Sequence, residues 1–134
     1  ETIDKGKRAT LQMGRALNEN KIIAMLIDQN DNKSELFVNF FGKLASCSKG
    51  TAAFHLLRRS PVVLVTCPYV GNRLEINFQH IPFKITGEQE KDTLEVSQKI
   101  TSALEKVIRK YPEQYFWMHR RWRARPPEDP EKIY

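Results

Sequence analysis

Asp28, Gln29, Asn30 and Asp31 follow an unbroken apolar run at residues 22–27. A carboxylate leaving a buried strand at its carboxyl end can bind a cation, orient a His or Arg, or accept a hydrogen bond from a substrate hydroxyl. The plainer reading is a solvated Asx-rich turn. Phe40-Phe41-Gly42 offers a wall for an acyl or aromatic group. Adjacent residues of a strand face opposite ways, so only one Phe can line a given pocket, and core packing is the default for both. Residues 46–51 (Ser-Cys-Ser-Lys-Gly-Thr) are small and polar at a helix start, where the helix dipole and Lys49 favour an anion. They lack the glycine pattern of a phosphate-cradling loop, and simple N-capping accounts for them. Cys47 has no His near it in sequence to activate a thiolate.

The three histidines, His55, His80 and His119, form no metal-binding spacing, and no Gly-x-Ser-x-Gly elbow exists. No complete catalytic set can be assembled from spacing alone, and His55, mid-helix, reads as structural. The most unusual stretch is residues 119–125, His-Arg-Arg-Trp-Arg-Ala-Arg, with four arginines and no acid. Arginine forks bind phosphate bidentately, and Trp favours membrane interfaces or flat stacking partners. A solvated basic terminus and a nucleic-acid-binding segment are the competing readings.

These residues need elements to hold them. The apolar spacing predicts a helix over residues 3–18 and a strand over 21–27 buried on both faces. A second strand follows over 36–41, closed by Gly42, and then a helix over 48–59 with Ser48 as N-cap, stopped by Pro61. Residues 61–67 read as another strongly buried strand, and 73–78 alternate as a half-exposed one. Residues 91–110 form the clearest helix, and Pro112 opens a short aromatic segment, Tyr115-Phe116-Trp117-Met118. Buried strands separated by a helix predict an α/β fold: a layered, mostly parallel or mixed sheet flanked by helices, with ligands at the carboxyl ends of its strands.

The chain has 134 residues, 22 Lys plus Arg against 16 Asp plus Glu, and 40% apolar residues, the composition of an ordinary globular protein. Residues 119–125 carry +4 of the net +6, so the remaining 18 bases nearly balance the 16 acids. This asymmetry points to an anionic partner for the tail. The two cysteines, Cys47 and Cys67, suit a reducing compartment, with their pairing open. The longest apolar run, six residues, falls short of the roughly 20 that span a membrane.

Several segments together resemble the C-terminal half of the lipid A biosynthesis (lauroyl/myristoyl) acyltransferase family. They are Ile27-Asp28-Gln29-Asn30; Phe37-Val38-Asn39-Phe40-Phe41-Gly42 with Ala45; Ser60-Pro61-Val62-Val63; Arg73-Leu74-Glu75-Ile76; and residues 111–122, which run from Tyr-Pro-Glu-Gln to His-Arg-Arg-Trp. The resemblance runs nearly end to end. It implies an acyltransferase-like fold and an enzyme at the cytoplasmic face of the bacterial inner membrane. That enzyme moves an acyl chain from acyl carrier protein to a hydroxyl of an anionic glycolipid, the lipid A precursor. No cofactor or metal is expected beyond the acyl donor, and the resemblance implies the membrane surface as partner, with no nucleic acid expected.

The family's His, followed four positions later by Asp or Glu, is missing: those positions hold Arg59, Lys84 and Arg123 after the three histidines. The resemblance therefore implies that residues 1–134 are the C-terminal portion of one acyltransferase domain. The base and a membrane anchor would lie upstream, and the chain alone would be inactive. Carried over, Asp28 matches an acidic residue beside the active site, with Gln29 and Asn30 at the same mouth. Phe40, Phe41 and Gly42 match the adjoining strand and turn, and Arg120, Arg121 and Trp122 match a C-terminal motif suited to phosphate or headgroup contact. Residues 45–48 (Ala-Ser-Cys-Ser) depart from the Thr-rich form usual there. The alternatives are an acyltransferase for another glycolipid or phospholipid, and a non-catalytic basic module that binds lipid or nucleic acid.

Overall fold

The computed structural model describes residues 9–129 and 133. The described residues form three helices and three short antiparallel strand pairs. Helix α1 spans Ala9–Asn18, and residues 3–8 of the predicted first helix lie outside the described residues. The chain leaves α1 through Asn20 in the left-handed region (φ 56°). Strands β1 (Phe37–Phe40) and β2 (Lys43–Ser46) form a hairpin with Phe37 opposite Ser46 and Phe40 opposite Lys43. Helix α2 (Gly50–Arg58) ends on Arg59, also left-handed, whose N–H bonds the His55 carbonyl. Pro61 follows, where proline cannot continue a helix.

Strand β3 (Val63–Thr66) pairs antiparallel with β6 (Asn77–His80), and the two-residue strands β4 (Tyr69–Val70) and β5 (Arg73–Leu74) pair at the bend between them. Helix α3 (Gln89–Lys110) runs into a 3-10 turn at Pro112–Gln114.

The fold is thus mixed α and β, but the parallel layered sheet is not observed: among the described residues every strand pair is antiparallel and two-stranded. Residues 21–27 form no regular element and pair with no strand among the described residues, and Ile22 is 96% exposed. Their apolar run reads like a doubly buried strand, yet burial on two faces requires neighbouring strands, and none lies beside them among the described residues. β3 buries one face only: Leu64 is in the core while Val63 and Val65 are about half exposed. The expected strand at 73–78 is split, and its apolar side chains Leu74, Ile76 and Phe78 all face solvent.

α3 organises the interior. Val96, Ile100 and Ala103 recur at helical spacing and pack with Ala52, Leu64 and Ile81, with Ile27, Leu56, Val62, Phe83 and Leu104 around them. Burying each large aliphatic side chain is worth about 1.5–3 kcal/mol. Glu90 and Asp92 in the first turn and Arg109 and Lys110 in the last complement the helix dipole.

Asp92 also reaches back as a staple. Its carboxylate accepts the Thr86 hydroxyl (2.7 Å) and the N–H groups of Thr86 and Gly87. These bonds, the Thr86 hydroxyl foremost, hold its carboxyl below the usual range despite burial.

The same helix finishes the edge of β1. The Gln98 carboxamide accepts from the Asn39 N–H (2.8 Å) and donates to the Asn39 carbonyl (2.9 Å), as a neighbouring strand would. On the same face, about two turns further along, the Glu105 carboxylate accepts the Phe41 N–H at 2.8 Å. Burial pushes the Glu105 carboxyl upward, but the Phe41 N–H and Arg109 outweigh it and bring the group below its ordinary value.

Candidate functional site

The loop after residue 27 is built on Ser46, a fully buried residue at the end of β2. The Ser46 hydroxyl donates to Asn30 Oδ1 (3.1 Å) and accepts the Asp31 N–H (3.0 Å). Asn30 Oδ1 also accepts the Ala124 N–H (3.0 Å), and the Asn30 N–H donates to His119 Nε2 (2.9 Å). Inside the loop, Asp31 Oδ1 accepts from the Lys33 N–H, and Ser34 bonds both the Cys47 carbonyl and the Leu36 N–H. Asx and Ser side chains favour this kind of local turn, so the predicted turn chemistry is present. It is fastened to two distant segments, β2 and residues 119–124.

The C-terminal segment is held as firmly. Strand β2 pairs with β1 on one edge. On the other, two carbonyls spaced two residues apart are taken by arginines: Arg121 Nη1 donates to Ser46 O (2.5 Å) and Arg125 Nη1 to Leu44 O (2.7 Å). Arg125 is further paired with Asp129. Trp122 stacks on Phe40 (centroids 5.5 Å, 28° between planes) and donates its indole N–H to the Phe40 carbonyl (3.2 Å). The Arg121 guanidinium lies 5.6 Å from the Phe40 centroid. Phe40, Ala45 and Ile108 form a small core there, flanked by Phe41, Leu104, Tyr115 and Trp122.

Of the residues singled out in the sequence, Asp28, Asn30, Phe40, Phe41, Arg121 and Trp122 are gathered around this clasp. Gln29, Gly42 and Arg120 are exposed. Phe40 and Arg121 are almost wholly buried (1% and 2% exposed), so the Arg121 guanidinium is spent on the protein's own backbone, whereas Arg120 and Arg123 face solvent. Asp28 is half-buried. Its carbonyl receives a long bond from the Tyr115 hydroxyl (3.4 Å), and its carboxylate pairs with no side chain among the described residues. An acid on a rigid loop with spare acceptor capacity can orient a base or accept from a hydroxyl.

Sequence reasoning passed over Ser46, Tyr115 and His119 as supports of the loop. Only the unusual density of polar and aromatic residues in the two segments signals them. Both cysteines are free thiols. Burial pushes the Cys47 thiol up, against the opposing pull of Arg121, which disfavours a nucleophile there. His55 closes α2, with Nδ1 2.6 Å from the Ser60 carbonyl, and packs on Phe83.

Two clefts open away from the loop. One of about 380 Å³ lies among Leu56, Leu57, Ile85 and Asp92, and one of about 220 Å³ lies among Leu64, Asn77, Val107 and Tyr111. Neither is lined by Asp28, Asn30 or Arg121.

A family model of the bacterial lipid A biosynthesis acyltransferases matches residues 3–124. The chain belongs to this family. No curated protein matches it significantly. Membership in the lipid A acyltransferases makes the protein part of a transferase family and supplies a context for the Asp28 loop. Among the described residues, no cluster of three or more His, Cys, Asp or Glu could hold a metal. Also among them, no helix is long and apolar enough to cross a membrane.

Proposed function

We propose that this chain supplies the acceptor-side wall of an acyltransferase that moves a fatty acyl group from acyl carrier protein to a hydroxyl of a lipid A precursor, at the cytoplasmic face of the inner membrane. In that reaction the acceptor oxygen attacks the thioester carbonyl and its proton passes to a general base. The carbon–sulfur bond then breaks, and the thiolate leaves and is protonated. The base is a His upstream of residue 1, followed four positions later by Asp or Glu. Asp28 holds the acceptor or that base, and Gln29 lies beside it at the mouth. Asn30, Phe40, Phe41, Gly42, Arg121 and Trp122 fix the wall. Arg120 contacts phosphate or headgroup oxygens. The reaction needs no cofactor or metal beyond the acyl donor.

The observation that carries this reading is the Asp28 loop itself. In a chain of this family, a carboxylate with spare acceptor capacity stands on a loop clasped by Ser46 and His119. Such fastening is what a positioning residue requires, since displacement by about 1 Å costs on the order of 100-fold in rate. The test is acyl transfer from acyl-acyl carrier protein to a lipid A precursor by the protein that carries this chain, with the product read by mass spectrometry. Asp28→Asn and Asp28→Ala should each lower kcat by about 100-fold at unchanged fold. Acylation of a phospholipid or another glycolipid in preference to the lipid A precursor would overturn the assignment. So would full activity of the Asp28 variants.

A further inference from the structure

The segment between the two inward aromatics Tyr115 and Trp122 turns its apolar side chains outward. Phe116 is 67% exposed, Trp117 45% and Met118 82%. These residues are held in place. Tight turns bond the Trp117 N–H to the Tyr115 carbonyl and the His119 N–H to the Phe116 carbonyl. The Trp117 ring leans edge-on against Tyr115 (4.9 Å) and Phe41 (5.5 Å), and its indole N–H donates to the Pro112 carbonyl (2.6 Å). Its one side-chain polar atom is therefore satisfied by protein while the ring remains half open, so an apolar medium would leave the indole donor met.

Cations flank this apolar tip along the chain. Residues 109–123 hold five Arg or Lys and one acid, Glu113. Arg121 is buried, but Arg120 and Arg123 are exposed and make no ion pair among the described residues. Arg109, paired with Glu105, lies 4.8 Å from the centroid of the same Phe41 ring that Trp117 touches.

We infer that Phe116, Trp117 and Met118 enter the interface of an anionic lipid bilayer, with Arg120 and Arg123 on its headgroups. The inference takes its partner from the function proposed above. Aromatic side chains favour the headgroup level of a bilayer, and exposed basic residues are drawn to its anionic surface. A nucleic acid offers stacking faces to Phe116 and Trp117 but nothing to Met118, the most exposed of the three. An acidic protein rewards the arginines but leaves three protruding apolar side chains without a soft medium to enter. The buried Arg121 moves the lipid-facing role of the tail onto its exposed neighbours and onto the apolar tip before them.

The test places an environment-sensitive fluorophore at Met118→Cys, and separately at Glu90→Cys on the exposed first turn of α3, in the protein that carries this chain with Cys67→Ser. Phosphatidylglycerol vesicles should shift the emission at position 118 to the blue and raise it, with no change at position 90. Phosphatidylcholine vesicles should give a weaker response. Removing Arg120 or Arg123 should raise the lipid concentration for half response by about five-fold for each arginine. No response at 118 to phosphatidylglycerol vesicles overturns the inference. A response to polyglutamate or single-stranded DNA in place of vesicles also overturns it. Acyl transfer to a detergent-dispersed acceptor, measured on the same labelled protein, separates the two proposals. Activity without a vesicle response removes the membrane contact alone, and a vesicle response without activity removes the enzyme assignment alone.

Discussion

The Asn30 N–H donates to His119 Nε2 at 2.9 Å, joining residues 89 positions apart in sequence. The bond requires a lone pair on Nε2, so the ring proton sits on Nδ1. Replacing His119 by Phe keeps a ring but removes the acceptor, leaving a half-buried N–H unmet. The expected loss is about 1–3 kcal/mol in unfolding free energy. Amide exchange at Asn30 and Asp31 should speed up more than exchange in α3. Unchanged protection at those two amides would show that the loop is held without His119.

Arg121 and Arg120 are neighbours with opposite fates. Arg121→Ala removes a buried donor from the Ser46 carbonyl and leaves a void beside Phe40, so it should cost about 2–4 kcal/mol. Arg120→Ala should change stability by no more than about 0.5 kcal/mol, as exposed substitutions usually do. Urea midpoints of the two variants check this, and equal midpoints would contradict the burial of Arg121.

Asp92 predicts an acid-sensitive junction between residues 86–87 and α3. Its carboxyl lies below the usual carboxylate range when folded, chiefly through the Thr86 hydroxyl. The unfolded chain therefore binds the proton more tightly than the native one. The resulting stability is fully present above the unfolded value of about 4 and is lost as pH falls through the lower folded value. Asp92→Asn should be less stable than the parent at pH 7, with the gap narrowing as pH is lowered below about 4. Denaturation series at neutral and acid pH measure it, and a gap independent of pH would remove Asp92 as the titrating group.

α3 was legible because its apolar stripe repeats over 22 residues, and the structure differs from the expected helix by two residues at one end. Residues 21–27 were not legible, because an apolar run shows a preference for burial and says nothing about which strands are present to receive it. β2 was missed for a different reason. Lys43, Leu44, Ala45 and Ser46 have little strand propensity, and Gly42 reads as a stop when it is the second residue of a hairpin turn. The Asp28 turn was visible from its Asx residues, while its fastening to Ser46 and His119 depends on contacts that no local pattern encodes. Arg121 sits in a run of arginines and reads, like Arg120, as a contact for phosphate or headgroups. Only the vacant edge of β2 explains its burial.

The β1–β2 turn gives a last measurable contrast. Phe41 (φ 54°) and Gly42 (φ 80°) occupy consecutive left-handed positions, the geometry in which Asn-Gly is favoured. Phe there costs on the order of 1 kcal/mol relative to a residue that tolerates the region. Phe41→Asn and Phe41→Ala both lose the ring, but Asn tolerates the conformation better and should be the more stable by about 1 kcal/mol. Thermal or urea unfolding of the pair decides it, and equal stability would mean that the turn relaxes.

That turn also sets a trap for protein engineering. A search for stabilising substitutions that scores each position by its backbone would rewrite Phe41 before almost any other residue. The product would fold at least as well around the turn, yet Trp117 would lose one of the two rings it leans on. Residues 116–118 would keep their turns and the bond to the Pro112 carbonyl but lose the support of Phe41. Improvement of this molecule is best steered by an assay of its outer surface, because stability alone would select against the ring that shapes it.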